Sequence, residues 1–136
     1  MFVLFDEQEK ARAVMGVDPD TGPGISFLDP DQTRRIDVRI DKGSPRVTLL
    51  DRETEKRSAT AEMNITKGMP GIIMSVDDRK RAGFGAAIDR DGAVFVDLND
   101  TNGRERAILS LAPDGSPSLL LQDGGGKTLF QAPPKQ

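Results

Sequence analysis

The sequence contains no cysteine, no histidine, no tryptophan and no tyrosine. Without cysteine there can be no disulfides and no thiolate metal sites. Without cysteine or histidine the usual nucleophile–base pairs and triads cannot be assembled. A Ser–Lys device needs neither, but nothing in the pattern marks one serine or one lysine. Without tryptophan or tyrosine the common stacking platform for sugars and single-stranded nucleic acid is missing. An excess of one charge is also absent. The chain carries 19 basic and 22 acidic residues, a formal net charge of -3, and the two signs are interleaved throughout. That balance offers no basic stripe for nucleic acid and no charged tail. The longest apolar runs, such as Gly71-Ile72-Ile73-Met74, are far short of the roughly 20 residues a membrane helix needs. Asp6 and Glu7 interrupt the start, where a signal peptide would need an apolar core, so none is expected.

What is present is a repeat. Six apolar runs each end on an acidic or amide residue. They are Phe2-Val3-Leu4-Phe5-Asp6, Ile25-Ser26-Phe27-Leu28-Asp29, Val47-Thr48-Leu49-Leu50-Asp51, Ile73-Met74-Ser75-Val76-Asp77, Val96-Asp97-Leu98-Asn99-Asp100 and Leu119-Leu120-Leu121-Gln122-Asp123. The spacing between these aspartates is 23, 22, 26, 23 and 23 residues. A basic residue follows each one, at Lys10, Arg34, Lys56, Lys80, Arg104 and Lys127. In five copies an arginine comes next, at Arg12, Arg35, Arg57, Arg81 and Arg106. A second run then leads to a turn such as Gly43-Ser44-Pro45 or Asp114-Gly115-Ser116-Pro117.

Each copy reads as two strands. The second runs alternate, with Ile36, Val38 and Ile40 against Asp37 and Arg39, and Ala61, Met63 and Ile65 against Glu62 and Asn64. Alternation of period two marks a half-buried strand. The first runs are apolar on both faces, so they are either covered on both sides or leave one face for a partner. Asn102-Gly103, Asp91-Gly92 and Asp114-Gly115 supply the positive φ that tight turns need. Asp6, Asp29, Asp51, Asp77, Asp100 and Asp123 are expected to open turns by accepting backbone amides. No sustained helical period occurs. The chain is therefore expected to form a single all-β domain over residues 1–136, an antiparallel meander of about twelve strands closing as a barrel, prism or trefoil-like form. A β-solenoid is the alternative, disfavoured because it would stack equivalent aspartates in a like-charge ladder. Phe2 begins the first strand uncapped, and an apolar edge there calls for closure onto the last repeat or for pairing with another subunit.

The repeat resembles a tandem hairpin unit of uncharacterised bacterial proteins, of the form LxLxDxxGKxRxxLxVxxDGxP, and does so over nearly the whole chain. Glycine is replaced at Glu9, Gln32 and Glu55. In that group the units often follow a membrane anchor or coiled coil. The resemblance therefore implies an exported role, but it carries no assigned chemistry.

Candidate sites are sparse. Asp97, Asn99, Asp100 and Asn102 are rich in the oxygen ligands that calcium wants. The calcium loop would require glycine at Asn102 and glutamate at Ile108, so turn chemistry is the preferred reading. Gly124-Gly125-Gly126-Lys127-Thr128 resembles the tail of a phosphate loop but lacks the helix that should follow, and reads as a hairpin turn. The recurrent arginines are expected to pair with turn aspartates. Met15, Met63, Met69 and Met74 could form an adaptable binding surface, but core filling is commoner, and with the phenylalanines (Phe2, Phe5, Phe27, Phe84, Phe95 and Phe130) they are expected in the core. No catalytic residue, metal or cofactor is expected. The expected function is a non-enzymatic structural or protein-interaction module, part of an exported or assembly-forming protein, whose partner is another protein or a further copy of the chain. A β-barrel binding a glycan or small ligand is the alternative.

Overall fold

The computed structural model describes residues 1–54, 57–76 and 83–134. Twelve strands follow one another: β1 (Phe2–Phe5), β2 (Ala11–Asp18), β3 (Gly22–Leu28), β4 (Arg34–Asp41), β5 (Ser44–Thr54), β6 (Arg57–Thr66), β7 (Met69–Val76), β8 (Gly83–Ile88), β9 (Val94–Asn99), β10 (Glu105–Leu111), β11 (Pro117–Gln122) and β12 (Thr128–Ala132). They form one antiparallel sheet in chain order, each strand paired with its sequence neighbours. The parallel stacking of a solenoid is thereby excluded. No helix among the described residues is long and apolar enough to cross a membrane.

The turns explain the order. At β1–β2, Asp6 donates its N–H to the Lys10 carbonyl, and its own carbonyl accepts from Glu9 N–H at 3.0 Å. Asp29, Asp89, Asp100 and Asp123 repeat that pair of backbone bonds. The residue three after each aspartate must adopt positive φ. Gly92, Gly103 and Gly126 do so at no steric cost, whereas Glu9 and Gln32 are held there at φ 59 and 64. The turns after β4 and β6 are tighter, with Lys42-Gly43 and Lys67-Gly68 both at positive φ. Such two-residue loops match the right-handed twist of the strands they join.

Asp51 departs from expectation. It lies inside β5, opposite Ala59, and opens no turn. The spacing of 26 residues that follows Asp51 is the longest of the five. β5 runs on past Asp51 to Thr54, which pairs with Arg57 of β6. Asp77 lies outside the described residues.

Closure of first repeat onto last is not observed, since β1 and β12 are the two ends of the strand order. Hairpin turns specify neighbouring strands only. Nothing local specifies contact between ends, and twist accumulating over twelve strands carries the ends in different directions. Elements pack only against their immediate neighbours, so the described residues form a single layer. No described side chain is fully buried, and Ala93 is the one apolar residue close to it, at 6% exposure.

Candidate interaction face

Pairing register sorts the side chains into two faces, because successive residues of a strand point to opposite sides. One row runs from β2 to β12 through Met15, Ile25, Val38, Val47, Met63, Ile72, Ala86, Val96, Leu109, Leu119 and Ala132. The row beside it runs through Leu4, Ala13, Phe27, Ile36, Leu49, Ala61, Met74, Phe84, Leu98, Ala107, Leu121 and Phe130. Both are apolar from end to end. Among the described residues, Asp51 is the one charged residue in register with them. It lies in the outermost row with Ala59 and Val76.

This face is open to water. Met63 is 56% exposed, Met74 51% and Leu109 53%. A shallow depression of about 780 Å³ crosses its middle between Ile36, Leu49, Met74 and Leu98. Phe2, Phe27 and Phe130 lie exposed on the same face, and Phe5 and Phe95 are exposed elsewhere. The core expected of the phenylalanines and methionines is therefore absent from the single chain. A lone sheet has no second layer to bury them.

The opposite face is mixed: Ser26, Asp37, Thr48 and Glu62 share a row with Val14, Ile73, Ile108 and Leu120, and its charged groups find partners within the layer. Within a strand, Asp37, Glu62 and Asp97 are each followed two residues later by a donor on the same side. Arg39 binds Asp37, Asn64 donates to Glu62 Oε1 at 2.5 Å, and Asn99 donates to Asp97 Oδ2 at 2.6 Å. Across strands, Ser26 Oγ donates to Asp37 Oδ1 at 2.6 Å, and Arg46 lies 3.6 Å from Glu62. Burial pushes the Asp37 carboxyl up, but Arg39 and Ser26 outweigh it and hold it below its usual value. The buried polar residues of the described chain, Ser26, Ser58, Glu62 and Ser75, all belong to this face. Gly85 leaves room for Asp97, whose carboxylate would collide with a Cβ there.

The repeated turns form a third feature. Asp6 Oδ1 accepts from the N–H groups of Gln8 and Lys10, and Oδ2 accepts from Arg12 Nε at 2.7 Å. Asp29 with Arg35 and Asp100 with Arg106 reproduce this arrangement. Asp123 keeps the backbone bonds, to Gly125 and Lys127, which accounts for the Gly124–Lys127 segment as a hairpin turn. The Lys10 N–H, before the other donors, holds Asp6 below the usual carboxylate range, and the Arg104 N–H does the same for Asp100. The arginines also tie one repeat to the next. Arg35 reaches Asp51 at 2.9 Å, and Arg106 reaches the Gly124 carbonyl at 3.1 Å. Arg81 and the side chain of Arg57 lie outside the described residues.

The four residues weighed as calcium ligands do not converge. Asp97 and Asn99 bond each other on the mixed face, while the Asp100 carboxylate accepts from Asn102, Arg104 and Arg106 in the turn. No group of three or more acids assembles among the described residues. Sequence reasoning allowed for a face left to a partner but preferred a core for these methionines and phenylalanines. The signal was present in the apolar residues at alternate positions of the strands. No family model, no curated protein and no solved structure matches the chain.

Proposed function

We propose that this chain is a non-enzymatic structural module that acts by protein contact through its apolar face. The observation that supports the reading most is the pair of unbroken apolar rows that cross the sheet and lie open to water. Exposed apolar patches larger than a few hundred Å² mark contact surfaces rather than ordinary protein exterior. Among the described residues, the carboxylates of Asp6, Asp29, Asp37, Asp97, Asp100 and Asp123 are engaged in turns and strand pairs, which folding accounts for. The resemblance to bacterial hairpin repeats that follow anchors or coiled coils fits an exported, assembly-forming setting.

The test is dye binding combined with mass. The purified chain should either associate or, as a monomer, bind an apolar fluorescent dye such as anilinonaphthalene sulfonate. A monodisperse monomer that binds no dye would mean the chain covers the face itself, and the proposal fails.

A further inference from the structure

We infer that the apolar face is covered by the same face of a second copy of this chain, giving a two-sheet sandwich. This rests on the reading of that face as a contact surface and names the partner.

The accessible surface supplies the first argument. The chain exposes 9686 Å², whereas a folded monomer of 14.7 kDa exposes about 6,900 Å², an excess of about 2,800 Å². Two copies losing that excess against each other would form an interface at the upper end of permanent homodimers, which bury about 2,000–5,000 Å² or more.

The character of the face supplies the second. It presents almost no charge, so nothing on it selects a charged partner, and a net charge of -3 gives two copies little mutual repulsion. The repeat makes the surface recur from hairpin to hairpin, so the strip is complementary to itself under a two-fold axis. Small residues interrupt the rows at a few points, Ala61 beside Met74 and Ala86 beside Ile72, and leave hollows there for opposing side chains. Ten of the twelve strands have four to eight residues. A bilayer-spanning strand needs about 9–11, so the band suits a second sheet better than lipid.

The experiment is light scattering on the purified chain together with thiol labelling, which the cysteine-free sequence makes clean. The expected mass is that of two chains, without dye binding. Cysteine in Met74→Cys should react at least tenfold more slowly than in Gln8→Cys, an exposed turn position. Ile72→Lys should release monomers, and deletion of residues 1–6 should leave the dimer intact. The labelling result stands even if Ile72→Lys does not fold. A dye-binding monomer would overturn the second copy and leave the contact reading in place. A monomer without dye binding would overturn both. Three or more chains per particle would overturn the two-sheet sandwich. So would a dimer that survives Ile72→Lys and is lost on deleting residues 1–6, because it would be joined by its edges.

Discussion

Glu62 keeps 3% of its surface in water, while Met63, the next residue along β6, keeps 56%. In a water-soluble domain the order would be reversed. The two faces of the sheet differ in how they can be satisfied. A carboxylate on a strand can be met by a donor two residues away or directly across, as Asp37 is by Arg39 and Ser26. Those contacts lie within one layer. An apolar side chain gains only part of its burial from lateral neighbours, and the rest needs a second layer above it. One layer therefore lets Asp37, Glu62 and Asp97 find donors and leaves the apolar face incomplete.

Charging the apolar face should break this contrast most strongly. Met63→Glu with Met74→Glu is expected to abolish association and cost about 3–5 kcal/mol of apparent stability, the penalty of an uncompensated buried charge. Urea melts at several protein concentrations should give a concentration-dependent midpoint for the parent and none for the variant. The matching change on the mixed face, Thr48→Lys between Asp37 and Glu62, is expected to leave the mass unchanged and move stability by less than about 1 kcal/mol. An equal loss from both variants would erase the distinction between the faces.

Removing one partner of the polar network comes next. Asp37→Ala strands Arg39 and Ser26 and is expected to cost about 1–3 kcal/mol without altering the mass. Replacing Asp37 and Arg39 together by leucine should recover much of that loss in the same urea melts.

Acid sharpens the comparison, because the apolar face does not titrate. Asp6, Asp18, Asp29, Asp37, Asp100 and Asp114 are all held below the ordinary value of 3.8. A depressed carboxyl pKa contributes stability that is present above the unfolded value and lost as pH falls through the folded one. Tm should therefore be flat from neutral pH down to about 4 and fall steeply below it. Asp100→Asn, which weakens the turn at β9–β10, should show a shallower fall.

The smallest effects belong to the turns. Glu9→Gly and Gln32→Gly relieve side chains held at positive φ and are each expected to raise stability by about 0.5–1 kcal/mol. Gly103→Ala should lower it by a similar amount. No change in dimer mass should accompany any of the three.

The turn chemistry and the strand periodicity were legible from the residues alone. Asp-x-x-Gly and Lys-Gly pairs act over four or five residues, and alternation such as Ile36-Asp37-Val38-Arg39-Ile40 needs no distant partner to be read. Asp51 was misplaced because a lengthened hairpin and a turn at the usual distance share the same local pattern, and only the pairing with Ala59 separates them. Whether the apolar face is covered was hidden for a related reason. Alternation tells which residues share a side, not whether anything lies above that side.

The sequence by itself determined twelve strands, their neighbours and the division into two faces, because each of these follows from contacts close along the chain. Tertiary structure decided that the sheet stays open and single-layered. Closure and layering depend on contacts between residues a hundred positions apart, and on twist summed over every strand. No turn or repeat unit encodes those quantities.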